Sequence, residues 1–299
     1  MAFNVQTFKT RALTAIIFVA VMLTGLLYNH WSFLALFTVV HFGCWIEYQK
    51  LVGLIDPEYQ SVSSFHRNTI MLLGWSFMLY MTNDAYKIGR IPVQAIGWYG
   101  IMLFTIVFCL NEILLKKNLS LKVLAYSAFG LVYISLCWGL MMSLRNNGMM
   151  FKGTSLYIDF GWAVPVALIA SIWINDTMQY IVGSFIGKTP FSKISPKKTW
   201  EGTIGGSFLC IAIAAFVPYF ITKKFDIEII VIAAIAAIIG TLGDLLESKL
   251  KRMAGVKDSG QIMPGHGGFL DRFDSLLLAT PFAWLFVKIG YKLLISTLQ

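Results

Sequence analysis

Long apolar runs separated by short polar interruptions fill almost the whole chain. A first run from Ala12 to Leu27 follows Lys9 and Arg11, and further runs cover roughly 32–50, 69–82, 95–115, 123–144, 161–183, 203–221, 227–246 and 276–295. A bilayer-crossing helix needs about 20 predominantly apolar residues, so the pattern predicts an all-α, polytopic integral membrane protein with about nine transmembrane helices. The first run has the basic flank of a signal peptide. No small-x-small cleavage site follows it, and Tyr28, His30 and Trp31 lead straight into the next run, so it is read as a retained span. No internal repeat or low-complexity tract is found.

Composition strengthens that picture. Of the 299 residues 57% are hydrophobic and 13% are charged, where a soluble globular domain carries roughly 25% charged residues. An ordinary soluble domain is excluded. The four cysteines, Cys44, Cys109, Cys137 and Cys210, all lie in apolar runs with no Cys-x-x-Cys pair, which suits packing rather than a disulfide or zinc set.

The net charge of +9 is informative through its distribution. With the N-terminus inside, most basic residues fall on the cytoplasmic side, including Lys9, Arg11, Lys50, Arg67, Lys116, Lys117, Lys122, Lys188, Lys193, Lys197, Lys198, Lys249, Lys251, Arg252, Lys257 and Arg272. Lys87, Arg90, Arg145, Lys152, Lys223, Lys224 and Lys292 fall outside. The positive-inside rule favours this orientation, and such a surface faces anionic lipid rather than nucleic acid. It also places two loops, 184–202 and 247–275, on one side. Both are dense in glycine and alternating charge, so they are expected to hold the chemistry. Residues 1–160 are therefore read as structural, lipid-facing helices, and 161–299 as a catalytic membrane region.

The richest passage begins with Gly243-Asp244-Leu245-Leu246-Glu247-Ser248 and continues through Lys251-Arg252 and Lys257-Asp258 to Pro264-Gly265-His266-Gly267-Gly268-Phe269-Leu270-Asp271-Arg272-Phe273-Asp274. On one continuous helix, Asp244, Glu247, Ser248 and Lys251 would share a face. Asp271 and Asp274 would open the last helix, where negative side chains suit the positive end of the dipole. Any one of these could be a cap or an interfacial anchor. As an ensemble, carboxylates near membrane depth interleaved with cations point to function, and hard oxygen ligands arriving from two helices suit Mg²⁺. The Pro-Gly-His-Gly-Gly turn is able to bring backbone N–H groups close to an anion.

A second passage runs Asn175-Asp176-Thr177-Met178-Gln179-Tyr180, then Ile194-Ser195-Pro196-Lys197-Lys198-Thr199-Trp200-Glu201-Gly202. Asp176 lies within an apolar run, so its bland alternative is a buried partner for a lysine. Lys197 and Lys198 either hold phosphate or satisfy the positive-inside rule. Gly183 to Thr189 mimics a P-loop, but three residues rather than four separate its glycines and a membrane helix precedes it, so it is rejected.

Together the two passages resemble the phosphatidate cytidylyltransferase family, also called CDP-diacylglycerol synthase. Its signature is similar to S-x-x-K-R-x4-K-D followed by H-G-G-x-x-D-R-x-D, filled here by Ser248, Lys251, Arg252, Lys257, Asp258, His266, Gly267, Gly268, Asp271, Arg272 and Asp274. Gln179 departs from the family, which has a small residue there. The resemblance implies an α-helical membrane enzyme of phospholipid biosynthesis, and the compact chain with almost no extramembrane tail fits a bacterial inner (plasma) membrane. Its active site would face the cytoplasm, transferring CMP from CTP to phosphatidate with release of pyrophosphate.

It further implies Asp244, Asp271 and Asp274 as ligands of Mg²⁺, with a second cation left open. Lys251, Arg252, Lys257 and Arg272 would share the phosphates, with Asp258 and His266 also in the catalytic set. His266 is as readily a loop-shaping residue as a proton carrier. Ser248, Lys197, Lys198 and Asp176 would contact substrate, and a homodimer is left open. Rival readings are a CTP-dependent polyprenol kinase and an ion transporter using Asp176, Glu47 and Glu112. A CDP-alcohol phosphotransferase fits poorly, because its pattern ends in D-x-x-x-D whereas two residues separate Asp271 from Asp274.

Overall fold

Asn29 breaks what would otherwise be one apolar stretch from Ala12 to Lys50. Its side chain accepts the Ser32 N–H at 2.8 Å, while the Ser32 hydroxyl accepts the Asn29 N–H at 3.1 Å, a reciprocal cap that ends one helix and starts the next. The computed structural model describes residues 5–115, 120–152, 155–192, 194–261 and 267–290. His266 lies outside the described residues, as do Pro264, Gly265, Lys116, Lys117, Lys193 and Lys292.

The helices are α1 (Val5–Leu27), α2 (His30–Ile55), α3 (Pro57–Gln60), α4 (Ser64–Tyr80), α5 (Val93–Leu110), α6 (Leu121–Gly130), α7 (Cys137–Arg145), α8 (Ala163–Ile186), α9 (Trp200–Thr222), α10 (Ile227–Met253) and α11 (Leu270–Leu285). The π-helical turn Asn111–Leu115 extends α5, Leu131–Leu136 joins α6 to α7, and Phe286–Gly290 extends α11. Two antiparallel ribbons, β1 (Lys87–Ile88) with β2 (Ile91–Pro92) and β3 (Met149–Lys152) with β4 (Ser155–Asp159), are the sheet among the described residues. The protein is an all-α membrane protein.

Among the described residues, the apolar runs read from the sequence fall mainly on helices. Among the described residues, 5 helices are long and apolar enough to cross a membrane: Val93–Ile113, Leu121–Gly148, Trp200–Thr222, Ile227–Met253 and Leu270–Gly290. Helices α2 and α8, at 26 and 24 residues, also have spanning length. Their apolar runs are interrupted by His41 and Glu47, and by Asn175, Asp176 and Gln179. Large apolar side chains such as Ile204, Phe208 and Phe220 of α9 are exposed, as a lipid-facing helix requires.

The chain divides into two compact units, Met1–Asp159 with Leu250–Phe273, and Phe160–Lys249 with Asp274–Gln299. In the first, Phe33, Phe37, Trp45, Tyr48 and Trp138 form a fully buried aromatic core, with Phe37 and Trp138 centroids 5.1 Å apart and Phe273 edge-on to Trp138 at 5.6 Å. In the second, α8 and α9 pack closely, and α10 presents Ala233, Ala236, Ala237, Gly240 and Gly243, a row of small residues of the kind that lets membrane helices approach. A Cβ on Gly243 would lie 2.5 Å from the Asp274 carbonyl oxygen, so only glycine permits this contact.

Candidate active site

The acidic group sits in the second unit. Helix α10 continues to Met253, so the loop expected from residue 247 begins later, and Asp244, Glu247 and Ser248 share one helix face. Close approach at Gly243 brings Asp274 to that face, and Asp244, Glu247 and Asp274 each offer an oxygen within 4.8 Å of the others. Glu247 is fully buried and Asp274 is 9% exposed. Carboxylates gathered at this spacing repel one another unless positive charge intervenes. Lys198 forms an ion pair with Asp244, and the Ser248 hydroxyl donates to Asp244 at 3.3 Å. Asp176 of α8 is exposed and its charge acts on Asp274. The set of hard oxygen donors fits a divalent cation.

Lys197 and Lys198 lie on the 187–199 segment, which has its own scaffold. The Glu201 carboxylate accepts the Lys188 N–H at 3.1 Å and the Thr189 N–H at 3.1 Å. Pro190 bridges to Thr199, and the Phe191 and Trp200 rings meet edge-on at 4.5 Å. Thr199 caps α9 by accepting the Gly202 N–H at 3.1 Å. Lys197 is left exposed and Lys198 partly so.

In the first unit Asp271 is tightly held. Its Oδ1 accepts from Lys251 Nζ at 2.6 Å, and its Oδ2 accepts the Gly268 N–H at 2.8 Å, the Ser259 N–H at 2.9 Å and the Ser259 hydroxyl at 3.0 Å. Gly267 adopts φ +81°, and a Cβ there would press on the Asp271 carboxylate. Of the glycine turn only Gly267 and Gly268 are among the described residues; the Gly268 N–H goes to Asp271, and the N–H groups of the following Phe269 and Leu270 go to Glu47. Arg252 donates to the Val256 carbonyl at 3.1 Å and is exposed, as are Lys257, Asp258 and Arg272.

Three acidic residues thus carry more than the sequence reading gave them. The sequence spacing puts Glu247 on this helix face, and the fold brings its carboxylate within 4.8 Å of those of Asp244 and Asp274. Glu201 had only its place in the first turn of a helix as a signal. Glu47 was considered solely as part of an ion pathway. Glu112, another residue of that pathway, lies 2.7 Å from His66 Nδ1, while His66 Nε2 hydrogen-bonds Ser127 at 2.8 Å.

Gln179 is accommodated by its neighbours. Its amide donates to Thr241 Oγ1 at 2.9 Å, and the space it fills exists because Gly206 has no side chain: a Cβ there would lie 2.6 Å from Gln179 Cγ. Gln179→Ala should lower the unfolding free energy by about 1–3 kcal/mol through the lost hydrogen bond and the void, read as a lower melting temperature in detergent. An unchanged melting curve would show that the bond contributes nothing.

A model of the cytidylyltransferase family matches residues 9–290. The chain is similar to the phosphatidate cytidylyltransferase of Bacillus subtilis (strain 168), 31% identical over 228 residues that cover 73% of this chain and 77% of that one. It is similar to the phosphatidate cytidylyltransferase of Staphylococcus aureus (strain COL), 32% identical over 191 residues, covering 63% and 68%. The similarity to phosphatidate cytidylyltransferase 4, chloroplastic, of Arabidopsis thaliana is 35% over 184 residues, 57% of this chain and 47% of that longer protein. A helical membrane framework, a three-carboxylate cluster beside a lysine, and a match over nearly the full length converge: the chain belongs to the cytidylyltransferase family and is a membrane-embedded nucleotidyltransferase.

Proposed function

We propose that this chain transfers the CMP group of CTP to phosphatidate, giving CDP-diacylglycerol and pyrophosphate, at the cytoplasmic face of a bacterial inner (plasma) membrane. The observation that carries the reading is the Asp244–Glu247–Asp274 cluster beside Lys198, in a chain whose relatives are named for this reaction. The phosphate monoester of phosphatidate attacks the α-phosphorus of CTP, the bond to the β-phosphate oxygen breaks, and pyrophosphate leaves. The attacking oxygen is already anionic, since the second pKa of a comparable phosphate monoester is about 6, so no strong base is needed. The barrier is the mutual repulsion of two polyanions, met by positioning and charge.

Asp244, Glu247 and Asp274 would hold a divalent ion such as Mg²⁺, which when bound neutralises phosphate charge and favours departure of pyrophosphate. Lys197 and Lys198, on their braced segment, bind nucleotide phosphate or lipid headgroup, and Ser248 hydrogen-bonds phosphate. From the signature, Lys251, Arg252, Lys257 and Arg272 are assigned to phosphate, with Asp271 orienting Lys251. Asp258 and Asp176 adjust the local charge. The lipid tails stay in the bilayer and only the headgroup meets CTP.

The test is incubation of the purified chain with CTP, phosphatidate and Mg²⁺ in mixed micelles. Pyrophosphate and a cytidine-bearing lipid are expected in equal amounts, and chelation with EDTA should stop both. Movement of the CTP γ-phosphate to a polyprenol, with no pyrophosphate, would identify a kinase instead. Ion flux in vesicles without CTP would favour a transporter.

A further inference from the structure

We propose that Glu47, a residue of the second helix, is a positioning residue for the reaction: its carboxylate caps α11 from a distance and fixes the backbone that orients Asp271 and Lys251. The inference rests on the reading of those two residues as part of the active site.

The first N–H groups of a helix have no acceptor within it. Usually a Ser, Thr, Asp or Asn just before the helix supplies one, but α11 is preceded by Gly268 and Phe269, which have no side-chain acceptor. Glu47 takes the role. Its Oε1 accepts the Phe269 N–H at 2.8 Å and its Oε2 accepts the Leu270 N–H at 2.9 Å, placing a negative charge at the positive end of the helix.

The same Oε2 accepts the Ser259 hydroxyl at 2.6 Å. Ser259 in turn gives its N–H to Asp271, and Gly268 does the same. Two stretches of backbone, around 259 and 268, therefore meet on the Glu47 carboxylate and close together around Asp271. The approach is tight: a Cβ on Gly260 or on Gly268 would collide with the Glu47 carboxylate. Glu47 is 5% exposed, so these bonds face little competition from water. A buried carboxylate is costly unless it is satisfied, and here three donors from the signature segment meet it. One hydrogen-bonded step separates Glu47 from Asp271, and a second separates it from the Lys251 ammonium.

A mere brace and a positioning residue differ in what a double-mutant cycle reads. Glu47→Gln keeps the shape, but its NH₂ must face one of the donors, so at least one bond is lost whichever way the amide turns. The expected result is a fall in kcat of about 10–100-fold, the usual effect of losing a residue that orients an active group, with KM for CTP changed less than about threefold. In the Asp271→Asn background, assayed at high enzyme concentration, the same substitution should cost less than about threefold, because the group it positions is already gone.

An equal loss in both backgrounds would overturn the proposal, as would parental turnover in Glu47→Gln. Should Glu47→Gln fail to fold, Ser259→Ala leaves the carboxylate its two backbone donors and should lower kcat by about 3–10-fold, the worth of one hydrogen bond; parental turnover there would equally overturn it. If Asp271→Asn alone keeps full activity, the assignment of Asp271 fails. If Asp271→Asn is impaired and Glu47→Gln is not, only the present inference fails.

Discussion

Asp244→Asn should lower cytidylyl transfer by about 10²–10³-fold at a fixed Mg²⁺ concentration, the scale of losing one preorganised electrostatic contact to the transferring group. It should also raise the Mg²⁺ concentration needed for half-maximal rate by about tenfold or more, because a ligand of a divalent ion has lost its charge. The prediction follows from placement. Asp244 is one of three carboxylates whose oxygens lie within 4.8 Å of each other, and it is the member paired with Lys198. The change should leave the fold intact, since side-chain exposures of 24% for Asp244 and 22% for Lys198 put the pair at a surface where ion pairs contribute little to stability. A Mg²⁺ titration of the rate, with a melting curve on the same preparation, separates these effects. An Asn variant that follows the parental titration would remove Asp244 from the metal site.

Lys251→Met should be inactive and also unstable. Its ion pair with Asp271 is 11% and 8% exposed on the two sides, and breaking a buried pair by removing one partner costs about 3–5 kcal/mol. The Ser259 and Gly268 donors remain on Asp271, which places the expected loss toward the lower end. The double variant Lys251→Met/Asp271→Asn should recover most of the melting temperature and none of the turnover. Asp271→Asn alone, followed over Mg²⁺, tests the original expectation for that residue. A shift in Mg²⁺ requirement would make it a metal ligand, while a lower rate without such a shift would make it the orienting partner of Lys251. A stable and active Lys251→Met would remove the pair from the mechanism.

The helices were legible because their signals are local. An apolar run of spanning length is a bilayer segment wherever it occurs. The end of α10 was less legible: a loop is expected from residue 247, whereas the helix runs on to Met253 and so keeps Asp244, Glu247 and Ser248 on one face. What the sequence hid depends on distance along the chain. A lone carboxylate at Glu47 shows that something must donate to it, but its donors lie 212 to 223 positions later. The same long-range folding groups residues 250–273 with the N-terminal helices. The Gly268 N–H likewise meets a carboxylate of the chain itself, Asp271. Glu247 was hidden more simply, since only the close approach permitted by Gly243 gives it Asp274 as a neighbour.

The capping of α11 by α2 also has a consequence for biogenesis. The ribosome delivers Glu47 to the membrane some two hundred residues before Ser259, Phe269 and Leu270, and at roughly 5–20 residues per second that interval is on the order of 10–40 s. Throughout it the nascent protein holds an acidic side chain in an apolar segment with its eventual donors still unmade, so the early helices have to leave that group within reach of water until α11 arrives.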